Sequence, residues 1–175
     1  MPGREYDFGG PDDAVDLDQK ADILEHYVDH PVQFFTDVGF TLSDTQKRIL
    51  RAAQDENRII VQSGNGTGKT AGVMLAVYHY HVHHVDSVNM VTSGNFPVLK
   101  DTAAPFLEVI HNQVQEQFPS IPGVFKQSPP RIDMDGWPNW FLRFRSPRDP
   151  KNLEGRHGRR SMVVIDEADK PDVTE

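Results

Sequence analysis

Residues Val61 to Gly72 read VQSGNGTGKTAG, and this stretch decides the expected fold. It follows a short β-branched run at 58–62 (RIIVQ) and precedes a helix-forming run at 69–84. A glycine-rich turn between a strand and a helix brings backbone N–H groups close to phosphate oxygens, and the helix N-terminus favours their negative charge. The pattern G-x-x-x-x-G-K-[ST] is met except at its first glycine, where Ser63 stands. The stretch therefore predicts a phosphate-binding loop.

The side chains of this loop have separate expected roles. Lys69 would reach the β- and γ-phosphates of a nucleoside triphosphate, and Thr70 would place its hydroxyl on Mg²⁺. Ser63 does not disable the loop, because the three glycines that must approach the phosphates are all present. The expected nucleotide-binding residues are Ser63, Gly64, Asn65, Gly66, Thr67, Gly68, Lys69 and Thr70.

A second apolar run, SMVVIDEAD at 161–169, ends in acidic residues. Its buried strand would deliver Asp166 and Glu167 to the carboxyl edge of the sheet, where ligands bind in open α/β folds. Asp166 suits the Mg²⁺ shell, and Glu167 suits the catalytic base that activates the attacking water. A carboxylate pair at this place favours a Mg²⁺-dependent ATPase over a protein that only stores nucleotide.

The order of the predicted elements indicates an α/β fold with a mainly parallel central sheet. Strands at 58–62 and 88–92 and the acidic strand alternate with helices at 69–84 and 95–118. In the second helix, Pro105 is expected to kink the helix or split it in two.

Two further segments have recognisable local patterns. Residues 131–146 (RIDMDGWPNWFLRFRS) predict a hairpin that turns at Asp135–Gly136. Its aromatic side chains alternate with arginines, a spacing that favours core packing over stacking on nucleic acid. His79 and His83 have the i, i+4 spacing of a metal-ligand pair. Without a third ligand nearby, we expect them to be imidazoles at a helix C-terminus.

Composition excludes several classes of protein. The chain has 175 residues, no cysteine and a net charge of −8, so disulfides and thiolate metal sites are excluded. No apolar run is long enough to span a membrane. Nine acidic and two basic groups fall in residues 1–30, a net charge of −7. Residues 143–160 have seven basic and two acidic groups, a net charge of +5. The overall acidity therefore argues against a nucleic-acid coat protein but does not exclude a local basic contact.

Residues 31–168 resemble the N-terminal ATPase domain of a phage-type terminase large subunit, the motor that packages viral DNA. The matching stretches are HPVQFFTDVGFTLSDTQKRIL (30–50), SGNGTGKT (63–70), VTSGNFPVLKDTAAPFLEVI (91–110) and NLEGRHGRRSMVVIDEA (152–168). The last of these is the most specific, because generic ATPases lack an Asn-Leu-x-Gly turn before the acidic strand.

The resemblance implies a P-loop NTPase fold of the RecA/ASCE type, a three-layer sandwich that is incomplete at its C-terminus. It implies ATP and Mg²⁺ as cofactors and ATP hydrolysis that drives double-stranded DNA into a procapsid. The implied partners are double-stranded DNA, a portal protein, a small terminase subunit and further copies in a ring, with a monomer in isolation. The implied location is the host cell cytoplasm, without membrane attachment.

The resemblance also implies a division of the chain. Residues 1–16 would be an acidic flexible tail, 17–57 a helical segment with an adenine motif, and 58–175 the ATPase core. The core would be truncated after the acidic strand. The nuclease domain of the family would be absent, so no nuclease activity is expected.

Three more residues receive roles from the resemblance. Gln46 would read adenine, because one amide can donate to N7 and accept from N6. It is also the N3 residue of a capping box that begins at Ser43, and one residue can cap or read a base. Asn65 stands where many terminases have a cis arginine, so another cation must stabilise the γ-phosphate charge. Among Arg156, Arg159 and Arg160, we assign that role to Arg156, supplied in trans.

Two other functions fit parts of the sequence. A DEAD-box-like helicase of superfamily 2 would explain DEAD at 166–169 and GFTLSDTQ at 39–46. Its P-T-R-E-L and T-P-G-R segments are missing from the intervening sequence. A nucleotide-gated assembly module would bind ATP without hydrolysis, which Glu167 disfavours. One departure from the terminase pattern is at Thr92–Asn95, where the family reads A-P-T.

Overall fold

The computed structural model describes residues 22–62, 66–146 and 160–166. The expected acidic tail at 1–16 lies outside these residues. The helices are α1 at 22–27, α2 Pro31–Asp37, α3 Asp44–Asp55, α4 Lys69–His83 and α5 Phe96–Gln117. The strands are β1 Ser87–Ser93, β2 Val124–Gln127, β3 Pro130–Asp133, β4 Phe141–Phe144 and β5 Arg160–Asp166.

The helix starts follow the sequence signals. The Ser43 hydroxyl accepts a hydrogen bond from the Gln46 backbone N–H, and Gln46 Oε1 accepts one from the Ser43 N–H, which completes the predicted capping box of α3. α4 begins directly after Gly68, whose φ of 79° lies in the left-handed region that glycine adopts freely. The helix predicted after the glycine-rich loop is therefore confirmed.

α5 runs unbroken through Pro105. The split that was one of the two expected outcomes is therefore wrong, and the kink stays a prediction. Pro105 lies on the exposed side of the helix, where its ring and the missing backbone hydrogen bond are directed to solvent. The opposite side buries Leu99, Ala103 and Leu107 at helical spacing. Continuous burial on that side stabilises the helix across the proline.

Five strands form one mixed sheet in the order β2–β3–β4–β1–β5. β1 pairs in parallel with β4 and β5, whereas β2–β3 and β3–β4 are antiparallel. The α/β class and the hairpin at 131–146 are confirmed, but the expected mainly parallel sheet is wrong. The connections at 128–129 and 134–140 are short, and parallel strands need crossovers of a dozen or more residues.

Residues 58–62 are not a strand, which contradicts the sequence prediction. Ile60 is 82% exposed, and β5 forms the edge of the described sheet. A β-branched run favours extended backbone, but a strand also needs a neighbouring strand that satisfies its hydrogen bonds. Within the described residues, 58–62 has no such neighbour.

The described helices all lie on one side of the sheet. α4 and α5 pack on the face that buries Val91, Leu142 and Val164, and α3 packs on α4 from outside. The opposite face exposes Val163 and Ile165, by 53% and 61%. In the described chain the sheet is therefore an outer layer, whereas the expected three-layer sandwich places it in the centre.

Candidate functional site

The predicted loop threonine and the predicted strand aspartate meet in the folded chain. Thr70 Oγ1 donates a hydrogen bond of 3.1 Å to Asp166 Oδ2, across 96 positions of sequence. Thr70 lies in the first turn of α4, and Asp166 is the last residue of β5. The two side chains therefore meet at the carboxyl edge of the parallel strands β1 and β5, the edge at which α/β sheets bind ligands.

The described end of the glycine-rich loop has the backbone that phosphate binding requires. Gly66 and Gly68 have φ of 74° and 79°, which a residue with a Cβ rarely adopts. Lys69 is the first residue of α4, and Thr67 is exposed in front of it. The N–H groups at the start of α4 form a positive helix end. Ser63, Gly64 and Asn65 lie outside the described residues.

A pocket of about 410 Å³ opens beside the Thr70–Asp166 pair. Hydroxyl and carboxylate oxygens line one part of it, and apolar side chains of α5 line another. Oxygen donors of this kind suit Mg²⁺, which takes few protein ligands and completes its shell with water and phosphate oxygens. The lining residues are Thr70, Ala71, Ser93, Val98, Leu99, Thr102, Phe106 and Asp166.

Ser93 is a pocket residue to which the sequence pattern gave no role in the site. It ends β1 and lies directly opposite Asp166 in the parallel register of β1 and β5. The residue is 2% exposed, and its hydroxyl accepts a hydrogen bond of 3.1 Å from the Asn95 N–H. Its signal in the sequence is its place at the end of the second buried strand, since the carboxyl ends of parallel neighbours meet at one edge.

Gln46 lies next to the glycine-rich loop as well as at the start of α3. Its side-chain nitrogen is 3.6 Å from the place that a Cβ on Gly68 would occupy, while its oxygen accepts the hydrogen bond from Ser43. The capping role is confirmed. The adenine-reading role stays a prediction. The Gln46 side-chain nitrogen, which would donate to adenine, lies on the side of the glycine-rich loop.

The arginine and glutamate assignments fall mostly outside the described residues. Glu167 and Arg156 both lie there, and so does Arg159. Arg160 is described as the first residue of β5, six residues before Asp166. At about 3.3 Å per residue, the strand separates the two by roughly 20 Å. Arg160 therefore does not belong to the pocket of its own chain.

The histidines of α4 pack in the core. His79 and His83 are buried and stacked with ring centroids 4.0 Å apart. His79 Nε2 lies 3.0 Å from the Tyr27 carbonyl, and His83 Nδ1 lies 2.9 Å from the His79 carbonyl. Burial lowers the pKa of His79 well below its ordinary value, so the ring stays neutral. Among the described residues, no three His, Cys, Asp or Glu side chains group as metal ligands.

The aromatic side chains of the hairpin also take the packing role that their spacing favours. Trp140 is 1% exposed, Phe144 2% and Phe141 5%, so none of them offers its ring face to a nucleic-acid base.

None of the helices in the described ranges has the length and apolar character that crossing a membrane requires. Comparisons with protein-family models, with curated proteins and with solved structures give no match.

Proposed function

We propose that this chain is the ATP-hydrolysing motor domain of a viral terminase large subunit. In this proposal the sheet and α4 belong to a RecA/ASCE-like P-loop fold, and ATP hydrolysis drives double-stranded DNA into a procapsid. The observation that supports it best is the hydrogen bond between Thr70 and Asp166. A hydroxyl after the loop lysine and a carboxylate at a strand end are the two protein ligands that P-loop NTPases offer to Mg²⁺.

In this proposal each residue has the role that the sequence assigns to it. Lys69 and the N–H groups at the start of α4 hold the β- and γ-phosphates, and Thr70 and Asp166 hold the metal ion. Bound Mg²⁺ neutralises negative charge on the phosphate oxygens. Glu167 takes the proton of the attacking water, and Arg156 of a neighbouring copy faces the charge that develops on the γ-phosphate.

The same proposal includes the location, the oligomeric state and the partners of the motor. The domain works in the host cell cytoplasm as a homo-oligomeric ring, with a portal protein and a small terminase subunit as partners. Asn65 cannot supply a positive charge to the γ-phosphate of its own copy. Each copy therefore supplies that charge to the site of its neighbour in the ring.

Threonine-to-valine substitution at Thr70 tests the metal-binding assignment. Valine keeps the shape of the side chain and removes the hydroxyl, so Mg²⁺-dependent phosphate release by Thr70→Val should fall at least ~10-fold, the effect of about 1.4 kcal/mol in the barrier. Thr36→Val is the matched control, because the Thr36 hydroxyl donates to the Val32 carbonyl within α2, outside the pocket. Equal rates in the two variants would contradict the assignment.

A second variant separates an enzyme from a protein that only binds nucleotide. Glu167→Gln should abolish phosphate release and leave ATP binding intact, because the amide cannot take a proton but the phosphate ligands remain. If the unsubstituted chain binds ATP with Mg²⁺ and releases no phosphate under any condition, including at concentrations that form oligomers, the hydrolytic function is wrong.

A further inference from the structure

Three basic side chains form one line across the sheet. The strand register places Lys126 opposite Arg131, and Arg131 opposite Arg143. Residues directly opposite each other project from the same face. This face is the one without a described helix, because the neighbouring positions Ile132 and Leu142 point to the helices and are fully buried. We call Lys126, Arg131 and Arg143 the basic row.

One carboxylate stands among the three cations. Asp133 forms ion pairs with Lys126 at 3.3 Å, Arg131 at 2.8 Å and Arg143 at 3.2 Å. With Asp133 ionised, the group has a net charge of +2. Like charges directly opposite on neighbouring strands destabilise a sheet, so a face that keeps three of them suits an anionic partner.

The row has more hydrogen-bond donors than Asp133 can use. Each guanidinium has five N–H donors and a lysine has three, whereas a carboxylate has about four lone-pair sites. The side chains of Lys126, Arg131 and Arg143 are 49%, 31% and 24% exposed, so solvent and ligands reach them. The Arg143 guanidinium also lies 3.8 Å above the Phe141 ring centre, which holds its plane on the sheet face.

The row is about as long as three phosphate intervals of a nucleic-acid backbone. Three neighbouring strands span about 10 Å, and each strand of B-form DNA has one phosphate per about 3.4 Å of helix axis. The chain as a whole has a net charge of −8, which repels DNA. Binding must therefore depend on a local positive surface.

We propose that the basic row binds the phosphate backbone of double-stranded DNA on the face of the sheet that no described helix covers. The choice of DNA as the ligand rests on the proposed motor function. The alignment of the three basic residues does not, because it follows from the pairing of β2, β3 and β4. The row lies on the opposite face of the sheet from the pocket at Thr70 and Asp166, so it is a separate site.

The salt dependence of DNA binding tests the row. In the double variant Lys126→Gln, Arg131→Gln, the Arg143–Asp133 pair remains and should preserve the fold, which urea unfolding will check. Binding of a short labelled duplex is measured by fluorescence anisotropy over a series of salt concentrations, without nucleotide. The slope of log affinity against log salt should become shallower by about 2, about 1 for each lost phosphate contact.

A control on α3 separates a local site from a general charge effect. Arg48→Gln, Arg51→Gln removes the same charge from exposed positions of that helix and should leave the slope nearly unchanged. Equal slope changes in both variants, or none in the row variant, would overturn the proposal. A third outcome would also overturn the proposal. If the row variant keeps its DNA affinity but is cleaved faster within residues 1–21, the basic row binds the acidic N-terminal segment and not DNA.

The proposed motor function can fail independently. A chain without Mg²⁺-dependent ATP binding could still show the row-specific change in slope, and a working ATPase could lack it. Measuring both quantities on the same protein preparations therefore shows which of the two proposals is wrong.

Discussion

Gly72 of α4 packs against Gln46 and Ile49 of α3. A Cβ at this position would be 2.8 Å from Ile49 Cδ1 and 3.4 Å from the Gln46 Cα. Gly72→Ala therefore forces the end of the buried Ile49 side chain to shift, and the overpacking cost of about 1 kcal/mol should at least cancel the gain in helix propensity of up to ~1 kcal/mol. Urea unfolding measures the difference.

The same contact predicts a rescue. Ile49→Val removes the Cδ1 atom that the new Cβ would meet. In that background, Gly72→Ala should be neutral or stabilising, because the helix-propensity gain remains. If the alanine destabilises both backgrounds equally, the clash with Ile49 is not its cause.

Gln46 has one capping role and one proposed nucleotide role, and a single substitution separates them. Glu at this position keeps an oxygen that accepts from the Ser43 N–H, but it has no amide donor for adenine. Gln46→Glu should therefore keep the unfolding free energy within about 0.5 kcal/mol and lose the preference for ATP over GTP. Ser43→Ala is the converse control, with lower stability by about 1 kcal/mol and unchanged nucleotide preference.

At the scale of elements, the C-terminal half of α4 makes stability depend on pH. Burial lowers the pKa of His81 and His83 from 6.5 to about 3. Below about pH 6.5 the unfolded chain takes up protons that the folded chain does not bind. The free energy of unfolding should therefore fall by roughly 2 kcal/mol for each histidine between about pH 7 and about pH 5.

Urea unfolding at a series of pH values checks this dependence. In His83→Leu, the unfolding free energy should depend less steeply on pH, because one of the buried histidines no longer contributes to the slope. His26→Leu replaces an exposed imidazole and serves as the matched histidine-to-leucine control. A slope that is identical in the unsubstituted chain and in His83→Leu would contradict the assignment to buried α4 histidines.

The elements that the sequence predicted well are those with a complete local signal. The capping box at Ser43, the spacing of Leu99, Ala103 and Leu107, and the turn at Gly136 each specify a structure within a few residues. β2 was missed because its residues are mostly exposed and show no apolar alternation. Residues 58–62 were assigned wrongly, because β-branched composition does not specify which strand will pair with them.

Part of the candidate site could also be predicted from the sequence, and part of it could not. The meeting of Thr70 with Asp166 follows from a general rule about strand ends, so the sequence was enough. The sequence places Ser93 at the end of a buried strand, but its position opposite Asp166 and the α5 wall of the pocket depend on the order β4–β1–β5 and on the β1–β5 register. Both are set by contacts between distant segments, which no local pattern records.

At the scale of the whole molecule, we predict self-association through the face that no described helix covers and through the edge of β5. Val163 and Ile165 are 53% and 61% exposed on that face, and no described strand pairs with the outer edge of β5. Exposed apolar edges are templates for pairing between chains. Val163→Thr, Ile165→Thr keeps β-branched side chains and should reduce association with little change in unfolding free energy.

Light scattering over a range of protein concentrations measures this effect. Val164→Thr is the matched control, because Val164 is only 8% exposed on the inner face. It should destabilise the fold by about 1–3 kcal/mol, since it buries a hydroxyl. Association that is as strong in the double variant as in the unsubstituted chain would show that β5 is not the contact.

The indole of Trp140 gives this protein a built-in optical reporter. Trp140 is 1% exposed, and its Nε1 donates a hydrogen bond of 2.7 Å to the His81 carbonyl of α4. The same helix begins at Lys69, beside the pocket. The chain has two tryptophans, so Trp137→Phe leaves one indole, whose emission should respond to a shift of α4. Nucleotide titrations can then be followed by intrinsic emission, without an attached dye.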